Sequence, residues 1–330
     1  MSIDSTFFAS EPYCYFHQYV MTFRLERLDD VHESEHVSST SAHLISIHVR
    51  PIGRNMLISA GVGFPATLEA KLEKNAHSLE IFALTGIPKV KAGDDVGGLI
   101  ADAMRSNGKR WQRGDIVVVA QKIVSKAEGR VRKASDIVPT DEALEYARIT
   151  GKDARKVQAV LDESTEIVRA CDHPPDGVLI SRHRQGWICA NAAIDESNVG
   201  DDDALLLLPE DPDASARRIA SRIYDRTGIE PGVIVSDTFG RPWRRGLVNV
   251  AIGLSGVPAL DSWIGRRDAF GRQLQVSQQA TADEVAAAAG LLMAKDGLTP
   301  AILVRGLAWK SCSNSHARSY VRPLEEDLFK

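Results

Sequence analysis

From Leu79 onward, short apolar segments are separated by Gly, Pro and Asp, a pattern typical of a chain built from strands and helices. Six of these segments have the length and the continuous or alternating apolar composition of a strand. Strands are therefore predicted at residues 79–84, 116–120, 186–190, 205–208, 232–236 and 301–304.

Helical signals lie between these segments. Asp94 and Asp95 precede apolar residues at helical spacing as far as Met104, which predicts a helix capped by an acidic side chain. Residues 140–170 are predicted to be helical, with a break near Gly151.

Two further helices are predicted towards the C-terminus. Asp213 is expected to cap a helix that stops at Gly228, and Thr281-Ala-Asp-Glu284 has the form of a capping box opening a helix to about Lys295. Strands and helices alternate irregularly, so the predicted fold class is α+β with a mixed sheet rather than a regular doubly wound sheet.

Residues 1–78 differ from the remainder of the chain. They hold six of the nine histidines, and their hydrophobic periodicity is broken. Two interpretations stay open: a largely disordered N-terminal extension, or a true start at Met21 or Met56 with the upstream residues wrongly included. The predicted boundary separates this region from one domain at 79–330.

Composition narrows the class of protein. The chain is 44% hydrophobic and 25% charged, with a formal charge of -4, which argues against a nucleic-acid or membrane-surface protein. Its widely spaced cysteines favour reduced thiols over a disulfide framework, and no apolar run approaches the roughly 20 residues of a membrane span. A cytoplasmic location is therefore expected. The cysteines are Cys14, Cys171, Cys189 and Cys312.

Two acidic turns are the first candidates for chemistry. Asp195 and the pair Asp237-Thr238 are each expected where a strand ends. Carboxylate and hydroxyl oxygens are ligands that Mg²⁺ and Mn²⁺ prefer, and two such turns brought together would hold a metal pair on a triphosphate. The alternative is that each Asp only starts a turn. The sequence has no G-x-x-x-x-G-K-[ST] phosphate loop, so nucleotide binding would need another design.

Basic residues accompany both turns. Lys122 and Lys126 are expected on a loop leaving a strand, and Arg241, Arg244 and Arg245 follow the second acidic turn. They are suited to neutralising phosphates and developing charge. An ordinary solvated basic surface is the alternative.

Seven segments, in order, resemble the coenzyme F420-0:L-glutamate ligase (F420 γ-glutamyl ligase) family of single-domain type, over about residues 79–330. They are Leu84-Thr-Gly-Ile-Pro88, Gly93-Asp-Asp95, Gln121-Lys-Ile-Val-Ser-Lys-Ala-Glu-Gly129, Ile194-Asp-Glu-Ser-Asn198, Ser236-Asp-Thr-Phe-Gly-Arg-Pro-Trp-Arg244, Ala282-Asp-Glu284 and Val304-Arg-Gly306.

The resemblance implies a mixed α+β fold, an intertwined homodimer and a GTP site without a phosphate loop. It implies that Asp195 and Asp237 ligate one divalent ion and Thr238 a second, and that Lys126 acts with both carboxylates in catalysis. The residues it implies for nucleotide binding are Ile87, Pro88, Lys89, Val90, Gln121, Lys122, Lys126, Asn198, Met293, Ala294 and Lys295.

The implied activity is the GDP-forming ligation of L-glutamate to coenzyme F420-0, followed by further γ-linked glutamates. An acyl phosphate would be the intermediate, with two Mg²⁺ or Mn²⁺ ions and an open requirement for K⁺. The partners expected are these small molecules and a second copy of the chain. Two alternatives remain: a metal-dependent nucleotide phosphohydrolase using the same turns, and a non-catalytic GTP-binding module.

Three regions depart from the family pattern, and one of them is residues 1–78, which have no counterpart in it. Ala192-Ala193 precedes Ile194 where many relatives have Gly immediately before the Ile. Alanine is expected to be tolerated there unless the backbone φ is positive. Residues 105–113 are a few positions longer than usual, which predicts a surface insertion.

Overall fold

The computed structural model describes residues 46–52, 55–61, 78–174, 176–197, 202–293 and 297–327. The chain divides into two units, Met1–Glu73 and Lys74–Lys330. In the first unit, β1 (Ser46–Ile52) and β2 (Asn55–Gly61) pair antiparallel. Most of residues 1–78 lie outside the described ranges, so both interpretations of this region stay predictions.

A five-stranded mixed sheet forms the centre of the second unit, which confirms the predicted fold class. The strands lie in the order β11-β10-β4-β14-β3; β4 and β10 are parallel and the other neighbours antiparallel. They are β3 (Glu80–Ala83), β4 (Ile116–Ala120), β10 (Gly232–Arg241), β11 (Arg244–Ser255) and β14 (Ala301–Arg305).

Helices cover both faces of this sheet. Val117 and Val119 of β4 pack in one core with α1 (Val96–Ser106) and α5 (Pro212–Thr227). Ile116 and Val118, which point the other way, pack in a second core with α6 (Thr281–Gly290). Successive side chains of a strand face opposite sides, so a strand buried on both faces is apolar at every position.

Smaller sheets and three further helices belong to the same unit. β6, β7 and β8 form one antiparallel sheet, and β5 pairs antiparallel with β9. The elements are α2 (Gln121–Ala127), β5 (Val131–Lys133), α3 (Asp141–Thr150), α4 (Ala154–Asp162), β6 (Ser164–Cys171), β7 (Val178–His183), β8 (Ile188–Ala190), β9 (Ala204–Leu206), β12 (Asp261–Ser262) and β13 (Gln278–Gln279). Within the described ranges, no helix is long and apolar enough to cross a membrane.

The helix predicted over residues 140–170 is wrong at its end. α3 and α4 cover its first part and meet around Gly151, whose φ of 73° suits glycine. The last part is strand β6, paired with β7. Thr165, Ile167 and Val168 are β-branched, and such side chains pack well on a pleated surface.

Two predicted helix caps are also wrong. Asp211, rather than Asp213, caps α5 by accepting a hydrogen bond from the N–H of Ala214. Asp213 Oδ1 instead accepts hydrogen bonds from the N–H groups of Leu254 (2.7 Å) and Ala317 (3.0 Å). Its carboxylate therefore joins the start of α5 to strand β11 and to the segment that begins at Ala317.

The predicted capping box does not form at α6. Ala280 is the N-cap residue and makes no side-chain hydrogen bond, so Thr281 is already the first helical residue. The helix ends at Gly290, five positions before the predicted end at Lys295. Asp283 accepts a hydrogen bond from the N–H of Ala251 (2.8 Å), and so serves the sheet rather than its own helix.

Candidate functional site

The parallel strands β4 and β10 end in register at one edge of the central sheet. Ala120 lies beside Ser236, so the next residues, Gln121 and Asp237, leave the pairing at the same edge. In parallel strands the carboxyl ends share an edge, where ligand sites commonly form. Two predicted site segments, far apart in sequence, therefore meet.

The same edge receives two further segments. The N–H of Leu84, just after β3, donates to the carbonyl of Ala301 (2.9 Å), and that of Ala120 donates to Pro300 (2.8 Å). The loop containing Ile87–Val90 therefore starts here. The connection from Met293 to β14 ends here.

Lys122 lies on helix α2 and not on a loop as predicted, because the chain turns directly from β4 into that helix. Its Nζ lies 2.5 Å from Asp195 Oδ2 and 2.7 Å from Ser197 Oγ. Ser197 in turn donates to Asp195 Oδ1 through its N–H (2.9 Å) and its hydroxyl (2.8 Å). The turn that contains Asp195 is thus bound, through Lys122, to the helix that directly follows strand β4.

The carboxyl of Asp195 is held in its charged form. Burial acts to raise its pKa, but the hydrogen bonds from Lys122 and Ser197 together outweigh this effect, and the pKa lies below its ordinary value. An ionised carboxylate at the edge of the sheet is the form that ligates a divalent cation.

Positive charge is concentrated around α2. The pKa of Lys126 is lowered by burial and by the nearby ammonium groups of Lys122 and Lys89, while Asp195 opposes the shift. Lysines that repel one another are stabilised by an anion that lies among them. This cluster is therefore suited to binding phosphate.

Asp237 lies within a strand, and the prediction that it ends one is wrong. β10 continues to Arg241, paired with β11, and a register shift falls between Val235 and Ser236. The extra residue at this shift, Ile252, lies on β11, so side chains along β10 continue to alternate and Asp237 lies on the same face of the sheet as Val235. Asp237 Oδ1 accepts a hydrogen bond from the N–H of Thr238 (2.8 Å).

Cys189 connects the two acidic segments. Its thiol is buried, and burial together with the nearby carboxylate of Asp237 raises its pKa to about 12. The N–H of Ala193, two residues before Asp195, forms a hydrogen bond with the same thiol. Asp195 and Asp237 are therefore brought to one region through this cysteine.

The turn before Asp195 has a left-handed backbone. Asn191, Ala192 and Ala193 have φ of 52°, 50° and 56°. The expectation that alanine is tolerated depended on a negative φ, and the observed φ is positive. Each alanine here costs about 1–2 kcal/mol relative to the right-handed conformation, and such strain is commonly held in place at functional sites.

The donor groups fit a nucleotide with divalent ions. Gln121 is buried and its Oε1 accepts from Ser125 Oγ (2.8 Å), but within the described part of the chain its Nε2 has no hydrogen-bond partner. A buried amide donor of this kind requires a ligand or water. The described residues contain no cluster of three or more His, Cys, Asp or Glu that would hold a metal alone. A divalent ion here would need hydroxyl, phosphate and water oxygens to complete its coordination, as is usual for Mg²⁺.

Comparison with known proteins places this arrangement in a family. The sequence model of the family described as F420-0:Gamma-glutamyl ligase matches residues 86–306. The chain is 43% identical over 254 residues to the coenzyme F420:L-glutamate ligase of Methanothermobacter thermautotrophicus, covering 76% of this chain and 99% of that one. For the enzymes of the same name from Archaeoglobus fulgidus and Halorubrum lacusprofundi, the identities are 43% and 41%, covering 76% of this chain and 96% of each relative.

This chain belongs to the F420-0:gamma-glutamyl ligase family. Membership indicates a ligase and confirms the resemblance drawn from the seven segments. The roles of individual residues stay predictions.

The F420-0:gamma-glutamyl ligase match spans all the predicted site residues, but the structure does not describe every one. Asn198, Ala294 and Lys295 lie outside the described residues. Ile87 and Val90 are buried in the core and anchor their loop, whereas Pro88 and Lys89 are exposed.

The arginines predicted beside the second acidic turn lie apart from this cluster. Arg241, Arg244 and Arg245 are exposed at the far end of the β10–β11 pair. Arg241 is four residues beyond Asp237 along an extended strand, or about 13 Å. Within one copy of the chain, the structure does not bring them to Lys122.

Two residues beside the site were missed from the sequence. Ser197 was overlooked, although Asp followed two positions later by Ser is a common turn in which the Asp side chain accepts backbone hydrogen bonds. For Cys189 the sequence indicates only a reduced thiol. No local signal places it next to Asp237, because that contact depends on tertiary folding.

Proposed function

We propose that this protein uses GTP to join L-glutamate to coenzyme F420-0, with release of GDP and phosphate. The observation that carries the proposal is the contact between Lys122 and Asp195 (2.5 Å) at the sheet edge that also receives Asp237, in a chain of this ligase family. Relatives named coenzyme F420:L-glutamate ligase align with this chain over nearly their whole length.

The nucleotide is proposed to lie along this edge. The backbone of Ile87–Val90 would contact the guanine nucleotide, and the amide of Gln121 would use its unpaired Nε2 as a donor. Lys122 and Lys126 would contact phosphate oxygens, because both lie in the positive cluster on α2. Asn198, Met293, Ala294 and Lys295 complete the proposed set.

Divalent ions fit the oxygens at this site. Asp195 and Asp237 would hold one Mg²⁺ or Mn²⁺, and the hydroxyl of Thr238 would help to hold a second. Bound ions of this kind supply neutralisation of the triphosphate charge. A requirement for K⁺ is left open.

The chemistry requires an activated carboxylate, since joining an amine to a carboxylate in water is unfavourable. The terminal carboxylate oxygen of coenzyme F420-0 attacks the γ-phosphorus of GTP, and the bond to the β-phosphate oxygen breaks to release GDP. The glutamate amino group then attacks the acyl carbon, phosphate leaves, and the amine proton passes to solvent. Lys126 donates hydrogen bonds to the transferring phosphoryl group, whose reaction depends chiefly on alignment and charge. Repetition at the γ-carboxylate lengthens the tail.

A homodimer is part of the proposal. Large apolar side chains are exposed on the β10–β11 end and on the segment 261–279, including Trp243 (83% exposed), Phe270 (97%) and Val276 (85%). Large apolar side chains that form an exposed patch mark protein–protein interaction sites. A second copy of the chain is the partner proposed, and a cytoplasmic location remains expected.

Incubation of the pure protein with GTP, Mn²⁺, L-glutamate and coenzyme F420-0, followed by mass spectrometry, tests the function. Products heavier by glutamate units are expected, and Asp237→Asn should abolish them without lowering the melting temperature. Asp225→Asn is the matched control, since Asp225 is exposed on α5 and should leave activity unchanged. GTP hydrolysis without ligation would favour the phosphohydrolase, and GTP binding without turnover the binding module.

A further inference from the structure

Asn107, at the C-terminal end of α1, binds the loop that follows β3. Its Oδ1 accepts a hydrogen bond from Thr85 Oγ1 (2.8 Å), and its Nδ2 donates to the carbonyl of Thr85 (2.9 Å). The same Nδ2 donates to the carbonyl of Ala103 in the last turn of α1 (2.8 Å). One amide side chain therefore joins a helix end to a loop 22 residues earlier.

Thr85 is the residue from which the 87–90 loop departs. Gly86, the next residue, has φ of 84°, a conformation that glycine adopts at little cost. Because glycine also adopts many other conformations, the chain after it can take several directions. Fixing the backbone carbonyl of Thr85 on one side of this glycine limits the paths open to Ile87–Val90.

The far end of the loop is fixed separately. The N–H of Gly93 donates to the carbonyl of Ala127 at the end of α2 (2.8 Å), and that of Lys91 donates to Asp94 Oδ2 (2.8 Å). This end therefore depends on the helix that carries Lys122 and Lys126. The near end depends on Asn107.

The segment following Asn107 is itself held firmly. Arg305 Nη2 donates to the carbonyl of Arg110 (2.8 Å), and Trp309 Nε1 donates to that of Gly114 (2.9 Å). Arg305 also forms two hydrogen bonds of 2.8 Å with the buried carboxylate of Asp115. The predicted surface insertion at 105–113 is thus attached to β14. Asn107 therefore lies in a segment whose position is fixed, and it holds Thr85 in place relative to the sheet.

We propose that Asn107 is a positioning residue for nucleotide binding, acting through Thr85 on the backbone of Ile87–Val90. The inference rests on the proposed function, because it assumes that this loop contacts the nucleotide. A loop held in its bound conformation loses less entropy on binding, and the loss of this restraint weakens affinity without changing the contacts themselves. Asn107 touches neither the phosphates nor the reacting atoms.

The test is a double-mutant cycle of Asn107→Ala and Thr85→Val, with GDP affinity measured by calorimetry and the GTP KM and kcat measured separately. Asn107→Ala should raise the GDP Kd and the GTP KM about fivefold to tenfold, as expected for losing hydrogen bonds of ordinary strength. The value of kcat should stay within about a factor of two. Thr85→Val, which keeps the bond between Asn107 and Ala103, should have a smaller effect and add nothing in the Asn107→Ala background.

Lys109→Ala is the matched control from the same insertion. Its ammonium lies 3.2 Å from the ring centre of Phe82, and the hydrogen bonds between Asn107 and Thr85 do not involve it. It should leave GDP affinity unchanged. A lower melting temperature in Asn107→Ala with unchanged GDP affinity, or additive effects in the cycle, would overturn the inference. Wild-type protein that binds neither GDP nor GTP would overturn the proposed function instead, and this inference with it.

Discussion

The ammonium of Lys122 lies 2.5 Å from Asp195 Oδ2, and the two side chains are only 21% and 25% exposed. At this burial the attraction is weakly screened by water, so the pair is stronger than an ordinary surface ion pair. Asp195 is also a proposed ligand of a divalent ion, and Lys122 a proposed phosphate contact. In the absence of nucleotide, each satisfies the charge of the other.

Lys122→Met is expected to separate these roles. Without the ammonium, the GTP KM should rise at least about tenfold, because a charge-assisted hydrogen bond to phosphate is lost. Binding of Mn²⁺ in the absence of nucleotide should become tighter, since Lys122 no longer competes for Asp195. Electron paramagnetic resonance titration measures the free Mn²⁺. Lys156→Met is the control, as Lys156 pairs with the neighbouring Glu196 (2.6 Å). Weaker Mn²⁺ binding in Lys122→Met would contradict the competition.

Ala193→Gly is expected to stabilise the protein. Residue 193 has φ of 56°, where alanine is strained and glycine is not. The free energy of unfolding should rise by about 1 kcal/mol, measured by urea denaturation. Ala190→Gly is the matched control: its φ of -73° is comfortable for alanine, and glycine there should lower stability by about 0.5–1 kcal/mol. A loss of stability in Ala193→Gly would show that the turn is not strained at that residue.

Local signals in the sequence were sufficient for much of the fold. The five consecutive apolar residues from Ile116 to Ala120 predict a buried strand, and β4 lies in the sheet with both faces covered. The cap of α5 is ambiguous in the sequence because Asp211 and Asp213 both lie at the start of the helix, and only the tertiary partners of Asp213, Leu254 and Ala317, distinguish them.

The site was harder to predict than the fold. The chemistry of Asp195, Asp237 and the lysines was recognised from residue type, but their arrangement depends on contacts far apart in sequence. Lys122 and Ser197 are 75 positions apart in sequence, and no local signal indicates that their side chains meet. The continuation of β10 beyond Ser236 likewise depends on its pairing with β11, because the apolar run of β10 ends at Val235.

Phe270→Glu is expected to weaken self-association if the exposed apolar segments form the proposed homodimer interface. Phe270 is 97% exposed on the segment 261–279, and a charge there would be costly to bury against a second copy. Sedimentation equilibrium should show a shift from dimer towards monomer. Val138→Glu introduces the same charge at a residue 84% exposed elsewhere and should leave association unchanged. A wild-type protein that is monomeric would remove the homodimer from the proposal.

Asp283→Asn is expected to increase stability at neutral pH and to have no such effect in acid. Burial raises the pKa of Asp283 above its ordinary value of 3.8, so the folded chain holds this proton more tightly than the unfolded chain. The cost of the ionised carboxyl is absent below the unfolded pKa and fully present above the folded pKa. Asparagine keeps an oxygen to accept the hydrogen bond from the N–H of Ala251 and carries no charge. Its advantage in free energy of unfolding at pH 7 should therefore shrink as the pH falls and vanish by about pH 3. Parallel stability curves for wild type and Asp283→Asn from pH 3 to 7 would contradict this effect of burial on Asp283.

Asp195→Asn is expected to show the opposite pH dependence, because the pKa of Asp195 is lowered in the folded chain. The substitution should lower the free energy of unfolding at pH 7, and this loss should become smaller as the pH falls below 3.8.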